Sequence, residues 1–216
     1  MVNQYEREGL MHNRLKLKLG HLFAILALSY SMAVFAEPNT QKAIFAGGCF
    51  WCMEPPFDAL DGVLSTTSGY IGGTVVEPTY KQVSSGTTGH TEALQIIFDP
   101  GKISYEELLT TFWKNIDPVD GHGQFCDRGS QYRSEIFYTS DEQRELAEKS
   151  KQELDASETL PAPVQTAVTE ASPFYPAEEY HQNYYQKNPK RYKFYSWNCG
   201  RKQRLLQLWG KAYEQP

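Results

Sequence analysis

The chain has 216 residues, enough for one domain with a substantial core or at most two. Its 21 Lys and Arg against 26 Asp and Glu leave a formal net charge of −5, and the basic residues cluster only in "KNPKRYKF" (187–194) and "RKQR" (201–204). Phosphate backbones are held by clustered cations on an electropositive face, so this composition argues against a nucleic-acid partner, and the four cysteines (49, 52, 126, 199) lack the spacing of a disulfide-stapled scaffold.

The first 36 residues read apart from the rest. A basic stretch, "HNRLKLKLGH" (12–21), precedes the fifteen-residue apolar run "LFAILALSYSMAVFA" (22–36), which ends on small residues. This is the layout of a secretory signal peptide, expected to be cleaved after Ala36, with either Met1 or Met11 as the start. The run is short for a membrane span. The expectation is a periplasmic or secreted protein without stable membrane association after cleavage, its single domain covering 37–216. An uncleaved, membrane-anchored N-terminus is the alternative.

The elements follow in order. "KAIFA" (42–46) reads as a strand, and after Gly47-Gly48 a helix carries Phe57 and Leu60 inward. Proline is tolerated in the first helical turn, so Pro55-Pro56 puts the start of that helix near Trp51–Met53, with Cys49 just ahead of it. "GVLSTTSGYIGGTVVEPTY" (62–80) is a strand running into a Gly/Pro loop. "TEALQIIFDP" (91–100) alternates, with Glu92, Leu94, Ile96 and Phe98 on one face. Helices are expected over 104–118 and 140–157, each opened by a capping box, Ser104 with Glu107 and Ser140 with Gln143. Strands over 131–138 and 164–171, a helix over 176–186 and a last one over 201–210 complete the pattern. Strands and helices mix without regular alternation, which reads as α+β in two layers.

Three features carry chemistry. Cys49 lies between a Gly-Gly turn and a helix start, where backbone N–H groups and the helix dipole favour a thiolate. Cys49 and Cys52 form a CxxC, the signature of a thioredoxin-like dithiol, which is one candidate function; zinc would need a second ligand pair at matching spacing, and Cys126 and Cys199 do not provide it. Glu92 shares a phase with core residues, and burial there would keep it protonated near neutral pH; a strand-end Glu turned to solvent is the alternative.

"GCFWCME" (48–54), "SGYIGG" (68–73), "PTYKQVSSGTTGHTEA" (78–93), "DRGSQYRSEIFY" (127–138) and "FYPAEEYHQNYYQKNP" (174–189) together resemble peptide methionine sulfoxide reductase A. The resemblance implies a two-layer α/β sandwich with a mixed sheet. It implies reduction of the S epimer of methionine sulfoxide, in proteins and as the free amino acid, with Cys49 as nucleophile and Glu92 as acid. Tyr80 and Tyr132 would hydrogen-bond the sulfoxide oxygen, Asp127 would organise the site, and Phe50 and Trp51 would form the pocket for the S-methyl group. No metal or organic cofactor is implied; an external thioredoxin-like dithiol is, and the expected state is a monomer. A non-catalytic binder of oxidised methionine is a further alternative. The chain departs from the family pattern at Cys52, where many members have Gly, at Cys126, where a polar Asn is commoner, and in a tail with a single cysteine. The resolving cysteine is expected to be Cys199, then Cys52, then Cys126.

Overall fold

In the computed structural model residues 39–210 are described, so the expected signal peptide lies outside the described residues. The chain runs β1 (Gln41–Gly47), α1 (Phe50–Asp58), β2 (Val63–Ile71), α2 (Tyr80–Ser84), β3 (Thr91–Phe98) and α3 (Tyr105–Lys114). A ribbon of β4 (Gly123–Gln124) and β5 (Asp127–Arg128) leads through a 3₁₀ turn (Ser130–Tyr132) into β6 (Ser134–Tyr138) and α4 (Asp141–Ala156). Then come β7 (Ala167–Glu170), β8 (Tyr175–Pro176), a second 3₁₀ turn (Glu179–His181), α5 (Tyr184–Lys187), α6 (Pro189–Asn198) and α7 (Arg201–Trp209).

The main sheet has the order β7-β6-β1-β3-β2-β8; only β6 and β7 pair in parallel, so it is mixed, as expected. Alternation along β1 divides its side chains between two faces: Ala43 and Phe45 enter the main core, Ile44 and Ala46 the opposite side. On the main face Phe45 meets Phe57 of α1 and Tyr105 and Phe112 of α3, with ring centroids 5.7, 5.9 and 5.0 Å away. Helices α1, α3 and α4 therefore cover one face of the sheet, and the smaller cluster on the other is closed by Phe174. The result is an α+β fold in two layers.

Several elements differ from expectation. Helix α1 begins at Phe50, with Cys49 as its N-cap, so Pro55 and Pro56 lie in its interior and leave the Trp51 and Cys52 carbonyls without helical partners. The expected box at Ser140 is only half formed: the Gln143 amide turns instead to the Thr139 N–H and the Lys42 carbonyl. Tyr132 ends a 3₁₀ turn rather than lying in a strand. The helix expected over 176–186 is broken by Asn183, which adopts a left-handed φ of 54°. Two helices went unanticipated, α2, which opens with a complete Thr79–Gln82 capping box, and α6, which has Pro189 in its first turn. No helix among the described residues is long and apolar enough to cross a membrane.

Candidate active site

The site forms where β1 hands over to α1. Gly48 has a φ of 83°, and a Cβ there would sit 2.5 Å from the Gln124 side chain, so the turn that delivers Cys49 accepts only glycine. Cys49 is 7 % exposed and Cys52 5 %, both thiols are free, and the Cys52 N–H donates to the Cys49 carbonyl at 3.0 Å, one turn along the helix start. The strand phase of Glu92 aims its carboxyl at this same turn, where Oε2 accepts the Phe50 N–H at 3.1 Å. Burial lifts the Glu92 pKa from its ordinary 4.5 to about 8, so it is a neutral acid at pH 7.

The Cys49 thiol is not the ready thiolate that its helix-start position suggested. Burial pushes its pKa up, helped by the Cys52 hydrogen bond and by the Glu92 carboxyl nearby. The N–H of Phe50, first in the helix, is occupied by Glu92 rather than free to stabilise sulfur. Cys52 is pulled the other way, by the hydrogen bond from Cys49 and then by the Arg201 guanidinium.

Around the thiols stand hydroxyl donors. Tyr80 opens α2, its backbone N–H held by Glu178 Oε1 at 2.8 Å, and burial lifts its phenol to about 12. Tyr132 is pushed higher by burial and then by Glu92 and Tyr80, which groups the three residues in one electrostatic neighbourhood. Both phenols therefore keep their protons across the neutral range. Asp127 accepts a short hydrogen bond from the Tyr195 hydroxyl; burial raises its pKa against that bond and the Arg201 charge.

Phe50 is fully buried among Tyr70 and His181, at 6.1 and 5.0 Å between centroids. Trp51 is half-buried, stacked at 3.7 Å on Tyr184 and edge-on to Tyr195 at 5.9 Å. The loop that brings these rings is anchored by buried Glu54, which accepts from Ser68 Oγ (3.0 Å), Asn183 N (3.1 Å) and Tyr184 N (3.3 Å). His181, Tyr184, Tyr195 and Arg201 were not singled out from sequence. The "EEYHQNYY" run held the first two in view, but nothing local marks the others.

Cys126 and Cys199 are joined in a disulfide that ties the β4–β5 ribbon to the end of α6, while Cys49 and Cys52 are free. Together with an Asp127 oxygen, these sulfurs lie within 4.8 Å, but disulfide sulfur is not a thiolate ligand, so the trio does not fit a metal. A cavity of about 670 Å³ opens beside Cys199, lined by His122, Phe125, Arg128 and Arg204 among others.

Two buried free thiols one helical turn apart, beside a neutral carboxyl and two phenols, define a thiol-based redox site on an α+β sandwich. The family profile described as peptide methionine sulfoxide reductase matches residues 41–213. A peptide methionine sulfoxide reductase MsrA of Bacillus licheniformis is 53 % identical over 175 residues, covering 81 % of this chain and 97 % of the relative. One from Streptococcus equi subsp. zooepidemicus is 57 % identical over 152 residues, covering 70 % and 90 %. Among solved structures, reduced Mxr1 of Saccharomyces cerevisiae superposes with a TM-score of 0.66 at 33 % identity over 70 % of this chain and 87 % of that one. Methionine sulfoxide reductase A of Corynebacterium diphtheriae gives 0.63 at 31 % identity over 71 % and 77 %. The chain belongs to the peptide methionine sulfoxide reductase family.

Proposed function

We propose that this protein is a thiol-dependent peptide-methionine (S)-S-oxide reductase, and the observation that carries the reading is the meeting of the Cys49 thiol with protonated Glu92 at the start of α1. Sulfoxide sulfur is a poor electrophile until its oxygen is hydrogen-bonded or protonated. Glu92, Tyr80 and Tyr132 are neutral donors in a water-poor setting, where such bonds count for more. Cys49 sulfur attacks the sulfoxide sulfur, oxygen passes to Cys49 as a sulfenic acid, and methionine leaves reduced. A second thiol then condenses with the sulfenate, releasing water and forming a disulfide, which an external thioredoxin-type dithiol reduces with two electrons. Phe50 and Trp51 bound the pocket for the methyl group, and Asp127, held by Tyr195, orders its rim.

The place of Cys52 one helical turn from Cys49 favours it as that second thiol, ahead of Cys199, whose sulfur is bonded to Cys126. A disulfide exchanger needs no cluster of neutral donors for an oxygen atom, so the grouping of Glu92 with Tyr80 and Tyr132 weighs against that rival.

With a dithiol reductant, the protein is expected to reduce the S epimer of a peptide methionine sulfoxide and leave the R epimer intact, and Cys49→Ser to abolish turnover. Turnover of both epimers alike, or vigorous disulfide exchange without sulfoxide reduction, would overturn the reading.

We also infer export, on the strength of the basic-then-apolar leader over 12–36. Cell fractionation should find the protein outside the cytoplasm and shortened to begin near Glu37. Full-length protein confined to the cytosol would refute it.

A further inference from the structure

The indole N–H of Trp51 donates to Nδ1 of His181 at 3.0 Å. An indole nitrogen is a donor only, so Nδ1 must be the acceptor and the imidazole proton must sit on Nε2. That Nε2 is buried and has no hydrogen-bond partner. The ring is 1 % exposed and wedged between Phe50, Tyr80 and Tyr180, at centroid distances of 5.0, 4.4 and 4.1 Å. A histidine that merely filled this space would gain by turning its donor toward a partner, since an unsatisfied buried N–H costs about 1–3 kcal/mol. Here the unpaired nitrogen is tolerated while the other is given to Trp51. Burial also lowers the His181 pKa, against the pull of Glu178, which agrees with a neutral ring.

We propose that His181 is a positioning residue for substrate specificity: its Nδ1 fixes the angle at which the Trp51 ring faces the sulfoxide's methyl group. Tyr184 fixes the plane of the same indole by stacking, at 3.7 Å and 6°. Stacking alone leaves the ring free to slide and spin within that plane, and the bond from Nε1 to Nδ1 removes that freedom. The inference rests on the assignment of Trp51 to the methyl pocket.

Two variants separate this role from packing. His181→Phe keeps a flat ring and loses the acceptor; His181→Asn puts an amide oxygen near the place of Nδ1. With an N-acetylated methionine (S)-sulfoxide as substrate, His181→Phe is expected to raise KM about tenfold while kcat stays within about threefold, as for loss of uniform binding. His181→Asn should stay within about threefold of wild type in both constants. In the amide and indole NMR spectrum the Trp51 Nε1–H resonance should shift in the Phe variant and hold its place in the Asn variant. An unchanged KM in His181→Phe, or equal damage in both variants, overturns the proposal. Should the Phe variant fail to fold, wild-type protein labelled with ¹⁵N-histidine decides: a protonated Nδ1 overturns it, and an unprotonated Nδ1 coupled to the Trp51 N–H supports it. The spectra stand without turnover, so they separate failure of this inference from failure of the sulfoxide reductase reading.

Discussion

Replacing Glu92 with glutamine should slow turnover by about 10²–10⁴-fold, the usual worth of a general acid. Glutamine keeps the size and can still face the Phe50 N–H, but it has no proton to transfer. The pH dependence follows from the direction of the shift. Glu92 is protonated below about 8, so the wild-type rate loses its acid as pH rises through that value, and the Glu92→Gln variant should lack that limb. Ionisation of the Cys49 thiol, which burial postpones to higher pH, works in the opposite sense, and in Glu92→Gln it should come earlier, because the Glu92 charge no longer holds it up. Stability moves with the same proton. The folded pKa lies above the ordinary 4.5, so wild-type stability should fall relative to Glu92→Gln as pH rises from about 4.5 through 8. A ratio of the two rates that stays flat from pH 6 to 9 would exclude the acid role.

Cys52→Ser should complete one turnover and then stop. With stoichiometric substrate Cys49 would remain as sulfenic acid, open to capture by a carbon nucleophile, and steady-state turnover with a thioredoxin-type protein would fall close to zero. Cys199→Ser, by contrast, should keep cycling, because its sulfur is bonded to Cys126 and Cys52 lies one helical turn from Cys49. Mass spectrometry of each variant after one equivalent of substrate would read the disulfide directly. Stalling by Cys199→Ser, with Cys52→Ser turning over normally, would restore the order drawn from family resemblance.

Local pattern carried the residues whose placement local rules decide. The phase of β3 put Glu92 on the same face as Leu94, Ile96 and Phe98, and that face does look onto α1. The pattern did not disclose that the first half of β3 is buried on both sides, because alternation cannot register a covering loop. Cys49 was legible from the two glycines before it, yet its protonation was not: that comes first from burial and then from Cys52 and Glu92, and Glu92 is brought to the turn by its bond to the Phe50 N–H across 42 residues. His181 and Tyr195 reach the site across 130 and 68 residues, to Trp51 and Asp127, and no periodicity encodes such meetings. The tail was legible in part. Pro189 was a standard helix opening within reach of sequence rules, as was the Thr79–Gln82 box far upstream, whereas the break at Asn183 needs Glu54, whose carboxylate takes two N–H groups that a continuous helix would have kept.

The bond between Cys126 and Cys199 spans 73 residues. Closing a ring of that size removes about 4 kcal/mol of conformational freedom from the unfolded chain in the loop-entropy picture. That is a large share of a small domain's total stability of about 5–15 kcal/mol. Its two ends are the strip bearing Asp127 and the helical tail that brings Tyr195 and Arg201 to the thiols. Oxidising surroundings therefore hold one side of the candidate site by a covalent tether, and strongly reducing ones leave that side to hydrogen bonds and packing alone.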